Sequence, residues 1–303
     1  METISYGGWN TCFRLTNGVI ELIVTGDVGP RIIRFGMVGG KNVFKEFPEM
    51  MGRTGGDEWR VYGGHRLWHA PESHPRTYFP DNQPVTAEPI PGGMRVTQSP
   101  EPTTGIQKTM EIFPDETSAR VTVVHHLKNT GLWTVKLAPW ALSVMDAGGT
   151  AIVPLPPRRP HSPQNLLPVA RLNLWGYTNL ADPRWLWGEN YVLLRQDARQ
   201  LDAQKIGVRA PDGWAAYANH GMLFISRVTF NETAEYPDGG SNIELFTDAA
   251  MLEVETLGGL VQLAPGKTVS HTETWFLFSD VPAPATEADV RRDILPHVAA
   301  TAN

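Results

Sequence analysis

The stretch Ala119-Arg120-Val121-Thr122-Val123-Val124-His125-His126-Leu127 decides the fold class. β-Branched residues dominate it, and these side chains suit a pleated, half-buried surface. Side chains on a strand alternate between faces. Val121, Val123, His125 and Leu127 therefore share one face, and Thr122, Val124, His126 and Lys128 share the other. This places His125 toward a core and leaves His126, with the polar set, as the better site candidate.

Similar runs recur on both sides of this segment. They include Val19–Val24, Arg31–Phe35, Met94–Thr97, Ile106–Ile112, Met222–Val228, Ile243–Thr247, Met251–Thr256 and His271–Phe278. Turn chemistry separates them, as in Asn129-Thr130-Gly131, Pro237-Asp238-Gly239-Gly240 and Pro265-Gly266. Period two with such punctuation predicts antiparallel sheet. Helical spacing is confined to the tail, where Val290, Ile294 and Leu295 share a side, and predicts a short helix near 287–298. So many strands without intervening helices predict an all-β sandwich over about 3–280. The middle differs: Pro154-Leu155-Pro156-Pro157 and the aromatic Trp175–Trp187 stretch read as a loop insertion at about 155–200 within a single domain, 1–303.

Composition narrows the function. The 303 residues are 41% hydrophobic with a formal net charge of -6 and no long basic run, which argues against nucleic acid as a partner. The single cysteine, Cys12, excludes an intrachain disulfide framework and fits a reducing, cytoplasmic setting. No signal peptide and no apolar membrane span are apparent. Phosphate loops, dinucleotide fingerprints and nucleophile elbows are lacking, so no cofactor is expected. Oligomeric state is left open.

Chemistry concentrates in Tyr62-Gly63-Gly64-His65-Arg66-Leu67-Trp68-His69-Ala70-Pro71-Glu72. His65 and His69 can move protons, Arg66 can grip vicinal hydroxyls or a carboxylate, and Trp68 offers an apolar platform, with Glu72 closing the motif. On a strand His65 and His69 share a face. A metal pair, a catalytic or sugar contact, and plain structural hydrogen bonding are all compatible with them; no H-E-x-x-H pattern exists, and no metal is expected. Near the C-terminus Glu253 and Glu255 share a face, and Glu244 stands on a neighbouring strand. A carboxylate facing histidine and arginine in a cleft is what general base catalysis needs. Trp175, Trp185 and Trp187 are candidates for the cleft mouth, with Trp185 as a substrate contact. Lys205, Asp212 and Asp238 are candidates for its rim, although turns ordinarily explain the two aspartates.

As a set these motifs resemble the galactose-mutarotase-like (aldose 1-epimerase-like) superfamily. The resemblance rests on Asn17-Gly18 with Gly29-Pro30-Arg31-Ile32, on Gly63–Glu72, on Val124–Gly131, and on Leu252–Leu257 followed by Leu263-Ala264-Pro265-Gly266. Gly63–Glu72 is similar to a signature of an uncharacterised bacterial branch. The resemblance implies a supersandwich of two large antiparallel sheets with a sugar-binding concave cleft. It further implies a glutamate, Glu255 or Glu253, that removes the anomeric O1 proton. It implies a histidine that protonates the ring oxygen, an early histidine at His69 or His65, and Arg66 as a binding residue. His65, Trp68, Glu72, Glu253, Glu244 and Trp185 complete the expected sugar contacts. The superfamily carries its acid histidine on the strand after the Asn-x-Gly turn, yet Lys136–Val144 holds none. Either His126 takes that role or the protein does not catalyse mutarotation. The expected activity is anomer interconversion; the alternatives are non-catalytic carbohydrate binding and a lyase or metal-assisted isomerase of uronate sugars.

Overall fold

A computed structural model describes residues 1–302. Two antiparallel sheets hold most of the chain. In space, the first orders its strands as Glu2–Tyr6, Trp9–Thr16, Ile20–Thr25, Arg31–Met37, Gly64–Ala70, Val135–Met145, Leu252–Leu257, Ile243–Thr247, Gln204–Val208 and Leu172–Leu174. Val261–Leu263 pairs with the start of Val135–Met145. The second runs Trp185–Trp187, Tyr191–Arg195, Thr150–Pro154, Trp214–Asn219, Met222–Val228, Thr268–Ser279, Arg120–Asn129, Ile106–Pro114, Gly93–Thr97 and Thr86–Ile90. The all-β, antiparallel sandwich expected from the alternating runs is the observed architecture.

The facing sides of the two sheets make the core. Leu22, Ile32, Leu67, Leu245 and Val254 of the first meet Met110, Ile112, Val121, Val123 and Leu277 of the second. Trp275 sits at the centre against Phe35, Phe44 and Phe224, with ring centroids 5.6–5.8 Å away. Each such side chain contributes roughly 1.5–3 kcal/mol by leaving water.

The C-terminal helical segment covers part of the outer face of the second sheet. Val290, Ile294 and Val298 pack on Ile152, Leu193 and Ile225. A capping box opens the segment: Asp289 N–H donates to Thr286 Oγ1, and Thr286 N–H donates to Asp289 Oδ2. The helix expected near 287–298 is present as Glu287–Ala300, with a π turn at Val290–Ile294. The turn lies just before Pro296, whose ring and missing N–H disturb the regular ladder.

Within the stretch 155–200, expected as a loop insertion, the chain is largely irregular but also supplies three short strands at the sheet edges. Leu172–Leu174 extends the first sheet, while Trp185–Trp187 and Tyr191–Arg195 extend the second. Prolines and glycines mask these short strands in the sequence. No helix among the described residues is long and apolar enough to cross a membrane. With the tail on the second sheet and the core between the sheets, the outer face of the first sheet is left to form a cleft.

Candidate functional site

The cleft is built from register. Across the first sheet Arg31, Arg66, Leu142, Glu255, Glu244 and Gly207 are successive partners. Directly opposed residues in an antiparallel ladder point to the same face. On one side of this row lie Val144, Glu253, Phe246 and Lys205, and on the other Trp68 and Trp140. Six strands from distant parts of the chain thus place three cations (Arg31, Arg66, Lys205) and three carboxylates (Glu244, Glu253, Glu255) on one surface. The turn into Gly64–Ala70 requires glycine at position 63: φ is 101°, and a Cβ there would lie 1.9 Å from the Lys45 carbonyl oxygen.

Aromatic rings wall the resulting cavity of ≈390 Å³. Trp59, Trp68 and Tyr78 line one side, with Trp140, Trp175 and Tyr177 completing it around Arg66, Lys205 and Glu253. Arg66 Nη2 lies 2.9 Å from Glu253 Oε1, and the guanidinium rests 4.5 Å from the Trp68 ring centroid. Lys205 Nζ lies 2.9 Å from Glu244 Oε2 and 3.0 Å from Glu255 Oε2. It also sits between the rings of Trp140 and Trp175, 4.7 and 4.8 Å from their centroids. Trp140 Nε1 donates to Glu255 Oε2 at 2.8 Å. Tyr78 donates its hydroxyl proton to Glu72 at the mouth.

The electrostatics follow from burial. Burial opposes charge on Lys205, but the Glu244 and Glu255 carboxylates overcome it and hold the ammonium well above its ordinary pKa. Burial pushes the Glu244 carboxyl well up against the pull of Lys205, with Glu255 and Asp238 adding to the rise. Glu255 is raised by burial as well, opposed by Lys205. One buried ammonium faces two buried carboxyls, so burial and the neighbouring negative charge favour protonation of one of the two. Several buried polar atoms have no hydrogen-bond partner among the described residues: Arg66 Nε and Nη1, Glu244 Oε1 and Glu255 Oε1.

Of the expected site residues, Arg66, Trp68, Glu72 and Glu253 line this cavity, and Glu255 and Glu244 lie beneath it. The histidines do not join them. His65 and His69 alternate with Arg66 and Trp68 and therefore point between the sheets. His65 Nε2 faces His125 Nε2 at 2.7 Å, and His65 Nδ1 meets Ser143 Oγ at 2.9 Å. His125 Nδ1 faces the His271 carbonyl at 3.1 Å, so it carries the proton and leaves Nε2 as acceptor for His65. Glu273 Oε2 lies 3.4 and 3.7 Å from the two Nε2 atoms, a grouping with metal-ligand composition. The ring geometry fits a different role. Centroids 5.0 Å apart with facing nitrogens at 2.7 Å describe rings aimed head-on, as in an N–H···N bond, rather than lone pairs converging on an ion.

His69 is buried beside Glu101, 3.9 Å away, where burial lowers its pKa. His126 stands on the outer face of the second sheet, bonded to Ser270 Oγ at 2.8 Å and 3.4 Å from Glu111. Neither converges with Glu255 and Arg66, and no histidine among the described residues lines the cavity. Trp185, expected to contact substrate, is in the core; its Nε1 reaches Gln204 Oε1 at 3.3 Å, and Trp187 stacks on it. Of the three tryptophans of that stretch, Trp175 lines the cleft. Lys205 is central rather than a rim residue. Its signal was a lone lysine inside the apolar run Lys205-Ile206-Gly207-Val208. Trp59, Tyr78 and Trp140 carried no local signal of a site.

Neither a protein-family model nor a curated protein sequence matches the chain. Solved structures do. A galactose mutarotase-like protein from Lactobacillus casei ATCC 334 superposes with a TM-score of 0.59 at 10% identity, covering 88% of this chain and 100% of that one. A galactose mutarotase related enzyme from Lactobacillus acidophilus gives 0.56 at 10% identity, covering 91% and 100%. An Escherichia coli K12 protein, provisionally assigned as an aldose 1-epimerase, gives 0.53 at 13% identity, covering 89% and 99%. These likenesses establish a galactose-mutarotase-like fold.

Proposed function

We propose that the cleft binds a sugar and that the Glu244–Glu255 pair exchanges protons with it, interconverting anomers as an aldose 1-epimerase does. The observation that carries this reading is the set of unpartnered polar atoms, Arg66 Nε and Nη1, Glu244 Oε1 and Glu255 Oε1, beneath a ring of aromatic side chains. Donors and acceptors of both kinds match a hydroxyl-bearing ligand, and the rings match the apolar faces of a pyranose. The names of the structural neighbours support the same ligand class.

In this reading the ionised carboxylate of the pair takes the proton from the O1 hydroxyl. The protonated partner donates to the ring oxygen as the C1–O5 bond breaks. Rotation of the open aldehyde and reclosure, with both protons returned, give the other anomer. The carboxyl pair supplies the acid that a cleft histidine would otherwise supply. Arg66 orients hydroxyls, and Lys205 sets the charge of the pair.

A second reading, sugar binding without catalysis, is favoured by one feature: Glu244 and Glu255 are fully buried beneath Lys205 and Trp140. Exchange spectroscopy by NMR on a panel of aldoses separates the two. Accelerated anomer exchange lost in Glu255→Gln supports catalysis; binding without acceleration supports the second reading. Absence of binding by every aldose defeats both.

A further inference from the structure

We infer that a cationic pocket beside the cleft binds an anionic group, carboxylate or phosphate, on a neighbouring unit of the same ligand, which makes that ligand an acidic oligosaccharide. The inference rests on the sugar reading of the cleft.

The pocket has a volume of ≈720 Å³ and gathers Arg76, Lys136, Arg171 and Arg209 in a chain whose net charge is -6. Lys136 is balanced by Glu235 at 3.0 Å. Arg171 and Arg209 have no ion-pair partner among the described residues; Arg209 rests 5.0 Å from the Phe230 ring centroid. Arg76 donates one N–H to the Pro71 carbonyl, and its buried Nε has no partner. The Arg171 guanidinium lies over Gly240, where a Cβ would come within 3.2 Å of Nη1, so the backbone makes room for it. Planar guanidinium forks match carboxylate and phosphate oxygens in pairs.

The pocket and the cleft share a wall. Pro71 lines the pocket and Glu72 the cleft. Asp238 lines the pocket, and its charge acts on Glu244 beneath the cleft. Arg171 precedes the strand Leu172–Leu174 and Trp175 follows it, four residues of extended chain or roughly 13 Å. That backbone spacing, together with the absence of any residue lining both the pocket and the cleft among those described, fits a group on the next unit of an oligosaccharide better than a substituent of the pyranose seated on Trp175. Beyond Arg171 and Arg209 the track continues into a groove walled by Pro156, Pro157 and Arg159.

Calorimetric titration tests this with four probes: a neutral disaccharide, its counterpart with a uronate second unit, its phosphorylated counterpart, and the neutral monosaccharide. Wild type is compared with the Arg171→Ala/Arg209→Ala double variant and with Arg171→Lys, each checked for fold by its thermal melt. At least one anionic disaccharide is expected to bind about tenfold or more tightly than the neutral one, the advantage shrinking with salt. The double variant should abolish the advantage, and Arg171→Lys should keep part of it. Which anionic probe gains identifies the group. Equal affinity for neutral and anionic disaccharides, or an advantage that survives the double variant, overturns the inference while leaving the sugar reading intact. If no saccharide binds, both fall.

Discussion

The Lys205 ammonium lies 3.0 Å from Glu255 Oε2, buried with it, and the same nitrogen lies 2.9 Å from Glu244. Removing one member of a buried ion pair leaves an uncompensated charge, at a cost of about 3–5 kcal/mol. Lys205→Met should therefore destabilise the fold by that order near neutral pH. The carboxylates of the variant have folded pKa values above their unfolded ones, so its deficit grows as pH rises through the unfolded carboxylate range toward the folded values. Urea unfolding at several pH values checks the magnitude and the slope; a deficit independent of pH contradicts the assignment.

Glu255→Gln keeps the shape of the side chain and an acceptor but abolishes its basicity. Anomer exchange should fall by about 10²–10⁴-fold with sugar affinity largely retained. Glu244→Gln should act on the same step, and the double variant should lose far less than the product of the two, because the pair works as a unit. Exchange rates at saturating sugar, compared across the three variants, make the test. Full additivity would separate the two carboxylates.

Trp175 lines the cleft beside Lys205, whereas Trp187 stacks on the buried Trp185. Sugar titrations should change the intrinsic fluorescence of wild type and of Trp187→Phe alike, and the change should be diminished in Trp175→Phe. Identical responses from both variants would remove Trp175 from the site.

Glu273 has no cation to balance it between the sheets, and burial pushes its pKa up to about 7 despite hydrogen bonds from Thr256, Ser226 and Trp275. A folded pKa above the unfolded carboxylate value means that its stability contribution is present at low pH and is lost as pH rises from about 4.5 to about 7. Burial lowers His125 to about 3 and His271 to about 4, so these two favour the folded state increasingly as pH rises toward their unfolded value. Glu273→Gln isolates the first effect. Relative to wild type, it should gain on the order of 3 kcal/mol between pH 4.5 and pH 7.5. Paired denaturation curves at the two pH values measure that gain.

The fold was legible because each strand carries its own signal. Val121–Leu127 and Leu252–Leu257 alternate as written, and both lie in sheets with the expected face inward. The same alternation in Gly64–Ala70 carried a warning about the site: Arg66 is an odd number of residues from His65 and from His69, so a strand separates them. The structure follows this alternation, with Arg66 in the cleft and His65 and His69 between the sheets.

Periodicity along the chain fixes which residues share a face, a property of each strand alone. It determined that Arg66 and Trp68 go together, that Glu253 and Glu255 go together, and that His65 and His69 form a separate set. Which set meets the cleft depends on which face the second sheet covers. Which residues meet across strands depends on register, set by hydrogen-bonded pairing between segments far apart in sequence. Only the tertiary structure could bring Lys205 onto Glu244 and Glu255, seat Trp140 and Trp175 around it, and turn the histidines inward against Glu273.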